Sequence, residues 1–220
     1  MSDTPSASST GRRLPHRARN PELTRREILE AARDEFVEKG LDGARVDRIA
    51  ARAVANKRLI YHYFGNKEGL YSAVLEDAYR QIREGERALD LEQQPPEEAM
   101  RGLVRFTFEH FRANPWFISL LNTENLQRAR YLRALPSIRE LHSPLVDQIR
   151  LILERGAAGG VFRADVDPVA LYISIAALSY FPLGNIHTLS TIFNVDLTTP
   201  ERMTARADHA EAVVLGFLRP

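Results

Sequence analysis

Lys57, Arg58, Tyr61 and His62 fall on one side of a short helical pattern, with Ile60 and Phe64 on the other. An arginine there can set its guanidinium fork against the edge of a guanine, and a lysine can neutralise a phosphate. Tyrosine and histidine can donate hydrogen bonds to phosphate oxygens or press on a thymine methyl. The surrounding segment, ARVDRIAARAVANKRLIYHYFGNK (residues 44–67), divides into two short helical stretches across a tight turn. In a helix-turn-helix the second helix enters the major groove while the first braces it against the backbone. Lys67 follows at the start of a further helix, where free N–H groups and the helix dipole already favour an anion. The competing reading of residues 61–64 is an aromatic packing cluster. Ile60 and Phe64 belong to the core on either reading, and both roles stay open for Tyr63, which lies near the apolar face.

Other chemistry finds little support. There is no cysteine, which removes disulfides, thiolate nucleophiles and cysteine-bound zinc. P-loop, HExxH and GxSxG patterns are missing. GAAGG at residues 156–160 follows a helical pattern and reads as its stop. Asp165 and Asp167 suggest a cation site less readily than a helix cap at Asp167. No catalytic residue, metal or cofactor is expected. Charge is unevenly spread: residues 1–67 carry 14 Lys and Arg against 9 Asp and Glu, and residues 68–220 carry 16 against 20. That is a basic head on an acidic body, a distribution suited to binding a polyanion at one end.

The elements that must position these residues read as all-α, with about nine helices. Residues 1–21 lack apolar periodicity and are expected to be a disordered basic arm carrying Arg12, Arg13, Arg17 and Arg19. Residues 22–67 form the head and residues 68–220 a larger helical body. A first helix is expected from Thr24, capped through the capping-box spacing of Thr24 and Glu27 and stopped at Gly40. Asn56 and Asn66 are the expected N-caps of the third and fourth helices, and Asp167 followed by Pro168 opens a later one. Further helical patterns cover residues 97–113, 115–122, 137–156, 167–182 and 200–218, after a linker at 90–96. The first residues, MSDTPSASSTGRR, lack the apolar stretch of a secretory signal. The uncharged run at 169–183 is shorter than the roughly 20 residues a bilayer span needs. The expectation is a cytoplasmic protein with no membrane partner.

Three stretches, TRREILEAARDEFVEKG, VDRIAARA and LIYHYFGNKEGLYSAVL, together resemble the amino-terminal domain of the tetracycline-repressor (TetR) family over residues 24 to about 75. The resemblance implies a three-helix DNA-binding head, a helical ligand-binding and dimerisation body, and a homodimer on a palindromic operator, released by a small-molecule effector. The family's DNA-contacting positions match Ala44, Arg45, Lys57, Arg58, Leu59, Tyr61, His62, Tyr63 and Lys67. Two departures stand out. The family's turn usually has Gly, Val and Ser where this chain has Val54, Ala55 and Asn56, and a β-branched residue at positive φ is costly. Ala44 replaces a common threonine, which removes a phosphate contact.

In the body the resemblance extends only to helix order. It implies pairing through the last two long helices, with Val169, Ile173, Ala176, Met203, Ala207, Ala210, Val214 and Phe217 as interface candidates. Polar or aromatic residues set among apolar ones are the effector-site candidates: Phe108, His110, Phe111, Trp116, Phe117, Asn122, Tyr172, Tyr180, Phe181 and His187. Core packing is the competing role for each. Two other functions remain in play: a helical enzyme or small-molecule carrier that binds no operator, and an architectural DNA binder indifferent to sequence.

Overall fold

Ile28, Ala32, Glu35 and Phe36 recur at helical spacing and are all buried, which sets the inward face of the first helix. The computed structural model describes residues 21–220, and for residues 138–143 the backbone alone. The arm expected over residues 1–21 therefore lies outside the described residues except for Pro21. Helix α1 is described over Pro21–Gly43. Thr24 is thus inside the helix and buried, with its hydroxyl unbonded, and the capping box expected there does not form. Gly40 breaks α1 at φ 66° and ψ 172°, a conformation essentially confined to glycine, and residues 41–43 make a last separate turn.

The head continues with α2 (Val46–Arg52) and α3 (Lys57–Phe64). Asn56 caps α3 by accepting from the Arg58 amide at 2.8 Å, and Asn66 caps α4 (Lys67–Arg87) by accepting from the Gly69 amide at 2.7 Å. Between α2 and α3, Val54 sits at φ 49° with its side chain 75% exposed. The turn keeps the left-handed geometry that glycine serves and accepts the strain of a β-branched residue. Val54→Gly is expected to stabilise the protein by about 1 kcal/mol, a rise of roughly 2–4 °C in Tm in a thermal melt.

The body comprises α5 (Pro96–Ala113), α6 (Pro115–Leu126), α7 (Arg130–Arg133), α8 (Ile138–Ala158), α9 (Pro168–Gly184), α10 (Ile186–Phe193) and α11 (Pro200–Leu218). Helix α5 is central and packs on α8, α9 and α11. Eleven helices stand among the described residues where about nine were expected. The single turn of α7 is too short to show a period. Helix α10 is rich in Ile and Thr, which favour strands over helices. Asp167 accepts from the Val169 amide at 2.8 Å, so α9 starts where its cap and proline predict.

Two cores lie among the described residues. One joins Ile28, Ile49 and Ile60 of the head and Leu70 of α4 to Phe111, Phe117 and Leu120 of α5 and α6. The other holds Leu103, Ile149, Ile175 and Val214 from α5, α8, α9 and α11. The head core therefore runs directly into the body, with α4 as the shared element. No single helix among the described residues is long and apolar enough to cross a membrane. The pair α9 and α10 meets that length only across a 69° bend.

Candidate nucleic-acid interface and effector region

The outward edge of α3 is held in place by packing beneath it. Ile60 is 1% exposed and plugs into the head core, which turns Lys57, Arg58, Tyr61 and His62 to solvent. Leu59, Tyr63 and Phe64 are half-buried, with Tyr63 and Phe64 packed on that core and on each other at 6.0 Å between ring centroids. The site residues differ in how ready they are for a new partner. Lys57 is ion-paired with Asp47 of α2. Lys67 donates to the carbonyls of Asp42 (3.3 Å) and Ala44 (3.4 Å), tying the start of α4 to the approach of α2. Arg58 has no ion pair among the described residues and is exposed. Arg45 is exposed at the N-cap of α2, whereas Ala44 is buried, so its side chain is not presented as the resemblance implied.

One determinant of this surface is not apparent from the sequence. Glu35 of α1 is wholly buried, and its carboxylate accepts from the Arg45 amide at 3.2 Å, serving as a remote cap for α2. Arg48 (3.6 Å) and Arg52 (3.8 Å) of α2 lie against the same carboxylate. Position 35 is seven residues from Ile28 and three from Ala32, so the periodicity does mark it as inward. Glu35→Ala leaves the part-buried Arg45 amide without this acceptor and removes the carboxylate facing Arg48, while Arg52 keeps Glu38. It is expected to cost about 1–3 kcal/mol and to raise amide exchange at the start of α2, as read by hydrogen–deuterium exchange.

In the body, most of the expected effector residues contact one another. Phe111 stacks on Phe117 at 5.7 Å, His110 meets Phe117 edge-on at 5.5 Å, and Trp116 and Tyr180 join at 5.9 and 6.1 Å. Tyr180 donates its hydroxyl proton to Asn122. Phe108 is wholly buried. His187 and Phe181 are exposed on α10 and α9, and no ring contact among the described residues joins either to the cluster.

Beside the cluster lies a charged group that the sequence pattern does not single out. Arg83 and Glu86 of α4 are both buried, with Arg83 Nη1 2.8 Å from Glu86 Oε2, and Arg83 Nη2 donates to the Tyr172 hydroxyl at 3.0 Å. Burial pushes the Glu86 carboxyl up to about 7, against the pull of Arg83 and Arg87. Burial, and secondarily the charge of Arg83, lowers His110 to about 4.

The interface candidates also divide. Ala207, Ala210 and Val214 are buried inside the protomer, the last two in the second core, so they cannot offer side chains to a partner. The stripe on α11 that looks free in sequence is the one that packs on α5. Val169, Ile173 and Phe217 are exposed, and Ala176 and Met203 are partly so. Phe181 and Val213, at i+8 from Ile173 and i−4 from Phe217, extend the exposed stripe. No cluster of three or more His, Asp or Glu able to hold a metal occurs among the described residues.

A three-helix head with a cationic recognition edge, fused through α4 to a helical body, defines a helix-turn-helix DNA-binding regulator. Known proteins agree. Residues 28–74 match the model for bacterial regulatory proteins of the tetR family, and residues 96–214 match that for the tetracyclin repressor-like C-terminal domain. The chain is 39% identical over 192 residues to the HTH-type transcriptional repressor NicS of Pseudomonas putida, covering 87% of this chain and 89% of that one. It is 32% identical to the repressor SCO4008 of Streptomyces coelicolor, covering 74% and 80%. Among solved structures, the transcriptional regulator SCO4942 of Streptomyces coelicolor superposes with a TM-score of 0.66 at 27% identity, over 90% of this chain and 99% of that one. The chain belongs to the TetR family of transcriptional regulators.

Proposed function

We propose that the protein is a cytoplasmic repressor, not an enzyme, that binds a palindromic operator as a homodimer and lets go when a small molecule occupies the body. The observation that carries this reading is the outward edge of α3. Arg58, Tyr61 and His62 are solvent-facing and Ile60 anchors the helix beneath them. A two-fold dimer presents two such edges to successive major grooves. Arg45, Lys57 and Lys67 sit around the edge as phosphate contacts, and Leu59 and Tyr63 support it. The partner subunit packs on Val169, Ile173, Phe181, Val213 and Phe217, large apolar side chains that are otherwise exposed.

Selection from random duplexes tests the reading. The expected outcome is an enriched inverted repeat, protected in a footprint, with affinity that falls steeply with salt. Retention of every duplex alike would show a sequence-tolerant binder, and retention of none would leave only the carrier or enzyme alternative. Ile173→Glu is expected to yield monomers in sedimentation velocity and to abolish full-operator binding at concentrations where the wild type saturates.

A further inference from the structure

The end of α9, helix α10 and the first half of α11 line an open cavity of about 300 Å3 that contains none of the residues the aromatic pattern singles out. Its apolar wall includes Leu183, Ile186 and Met203, and its other wall carries Arg202, Arg206 and His209 from one side of α11. No acidic residue lines it. Two of the three carboxylates of α11 are turned the other way: Asp208 pairs with Arg105, and Glu211 with Arg101 and Arg105, toward α5. Asp196 lies near enough to feel Arg202, but its carboxylate accepts from the Thr198 amide at 2.9 Å and from the Thr198 hydroxyl at 2.6 Å. Arg206 has no ion pair among the described residues, and its Nε is buried without a hydrogen-bond partner.

A guanidinium that lines a cavity with one N–H buried and unbonded makes a directional demand for an acceptor. Arginine meets a carboxylate through two parallel hydrogen bonds, a geometry that water or a single carbonyl does not reproduce. Apolar walls with a few fixed polar groups are the usual make-up of a small-molecule site, and about 300 Å3 is the lower end of its size range. We propose that this cavity binds a small amphipathic acid, with its carboxylate on Arg206 and its apolar body against Leu183, Ile186 and Met203.

The effector role of such an acid rests on the regulator reading above. Position supplies the coupling. Phe181 just precedes the cavity on α9, and Val213 and Phe217 follow it on α11, so its walls continue into the face assigned to the partner subunit. A ligand that sets the spacing of α10 and α11 changes how two protomers meet, and with it the separation of the two recognition edges. It shifts the equilibrium only as far as it prefers one of those arrangements.

Octanoate serves as the probe, with 1-octanol and octyltrimethylammonium as its neutral and cationic counterparts, titrated into the full-length protein by calorimetry. Saturable binding of octanoate, at least tenfold tighter than either counterpart, is expected. Arg206→Gln should weaken octanoate at least tenfold, leave octanol unchanged and keep the thermal midpoint of the wild type. Saturating octanoate should change operator affinity fivefold or more in the wild type and not in Arg206→Gln. Equal affinities for octanoate and octanol, or an Arg206→Gln protein that binds octanoate normally, would overturn the site. So would octanoate binding that disappears as protein concentration rises through dimerisation, which would assign the cavity to a side chain of the second copy. Arg206-dependent binding that leaves operator affinity unmoved overturns the effector role. Failure to bind any operator would count against the regulator reading instead, and the calorimetry would still decide the cavity.

Discussion

Arg58→Ala is expected to erase discrimination at one base pair in each half of the operator while leaving binding to unrelated duplexes nearly intact. An arginine seated on a guanine edge contributes about 1–3 kcal/mol of discrimination. A two-fold dimer uses it twice, so the full operator should lose roughly 2–6 kcal/mol of specificity. The assignment to Arg58 follows from what its neighbours are doing. Lys57 must give up Asp47 before it can serve a base, and Lys67 is already spread over two carbonyl oxygens. Arg58 is exposed and breaks no ion pair to enter the groove. Lys67→Ala should behave differently, weakening all duplexes alike and reducing the salt slope by about one unit. A normal salt slope in that variant would confine Lys67 to holding α2 against α4. Uniform loss across every sequence for Arg58→Ala would remove it from base reading.

What the sequence could disclose about this interface follows from the range of the interactions involved. Caps are local, and Asn56, Asn66 and Asp167 all cap where their spacing places them. The outward set on α3 is legible because helical geometry separates Ile60 from Arg58 and Tyr61 within a single turn. Val54 is marked as strained by the glycine that the family usually has at that turn, and its φ is positive. The capping box at Thr24 fails because the helix already runs through Pro21, which puts Thr24 inside it and turned to the core. The body is harder. Apolar residues wrap most of α9, and periodicity does not say which side meets the protomer and which a partner. On α11 the small residues Ala207 and Ala210 read as an outer face in sequence, yet close approach to α5 is what small residues permit. Arg83 and Glu86 look like ordinary surface charges in sequence, and only the pairing of distant helices buries them.

That burial gives α4 a particular part. Its first half, through Leu70, Val74 and Leu75, belongs to the head core, and Arg83 and Glu86 of its second half sit beside the aromatic cluster of α5 and α6. No flexible joint separates the two, since one hydrogen-bonded helix of 21 residues spans them. A movement of α4 in the body would be carried to the recognition edge by this continuous helix.

The pair and its histidine neighbour should also leave opposite marks on stability. Glu86 has its carboxyl raised from 4.5 to about 7 by burial. Between those values the folded protein holds a proton that the unfolded chain has released, so stability falls as pH rises across that window. For each pH unit the window spans, the fall is about 1.4 kcal/mol at most. His110 is lowered from 6.5 to about 4, so from pH 4 to 6.5 the unfolded chain takes up a proton the folded one refuses, and stability rises with pH. The two slopes oppose each other from about pH 4.5 to 6.5. Urea unfolding of each variant against wild type, which cancels the remaining carboxylates, separates them. Glu86→Gln should gain stability relative to wild type as pH rises from 4.5 to about 7, and His110→Gln should lose it from about pH 4 to 6.5. Parallel curves for all three proteins would show that neither group titrates abnormally. Arg83→Met is the severest change, because it strands a buried carboxyl and removes the donor to Tyr172. A cost of about 3 kcal/mol is expected near pH ~8, and less near pH ~6, where Glu86 holds its own proton. Arg83→Met with Glu86→Leu should recover most of that loss, since two apolar side chains of similar volume need neither charge nor partner.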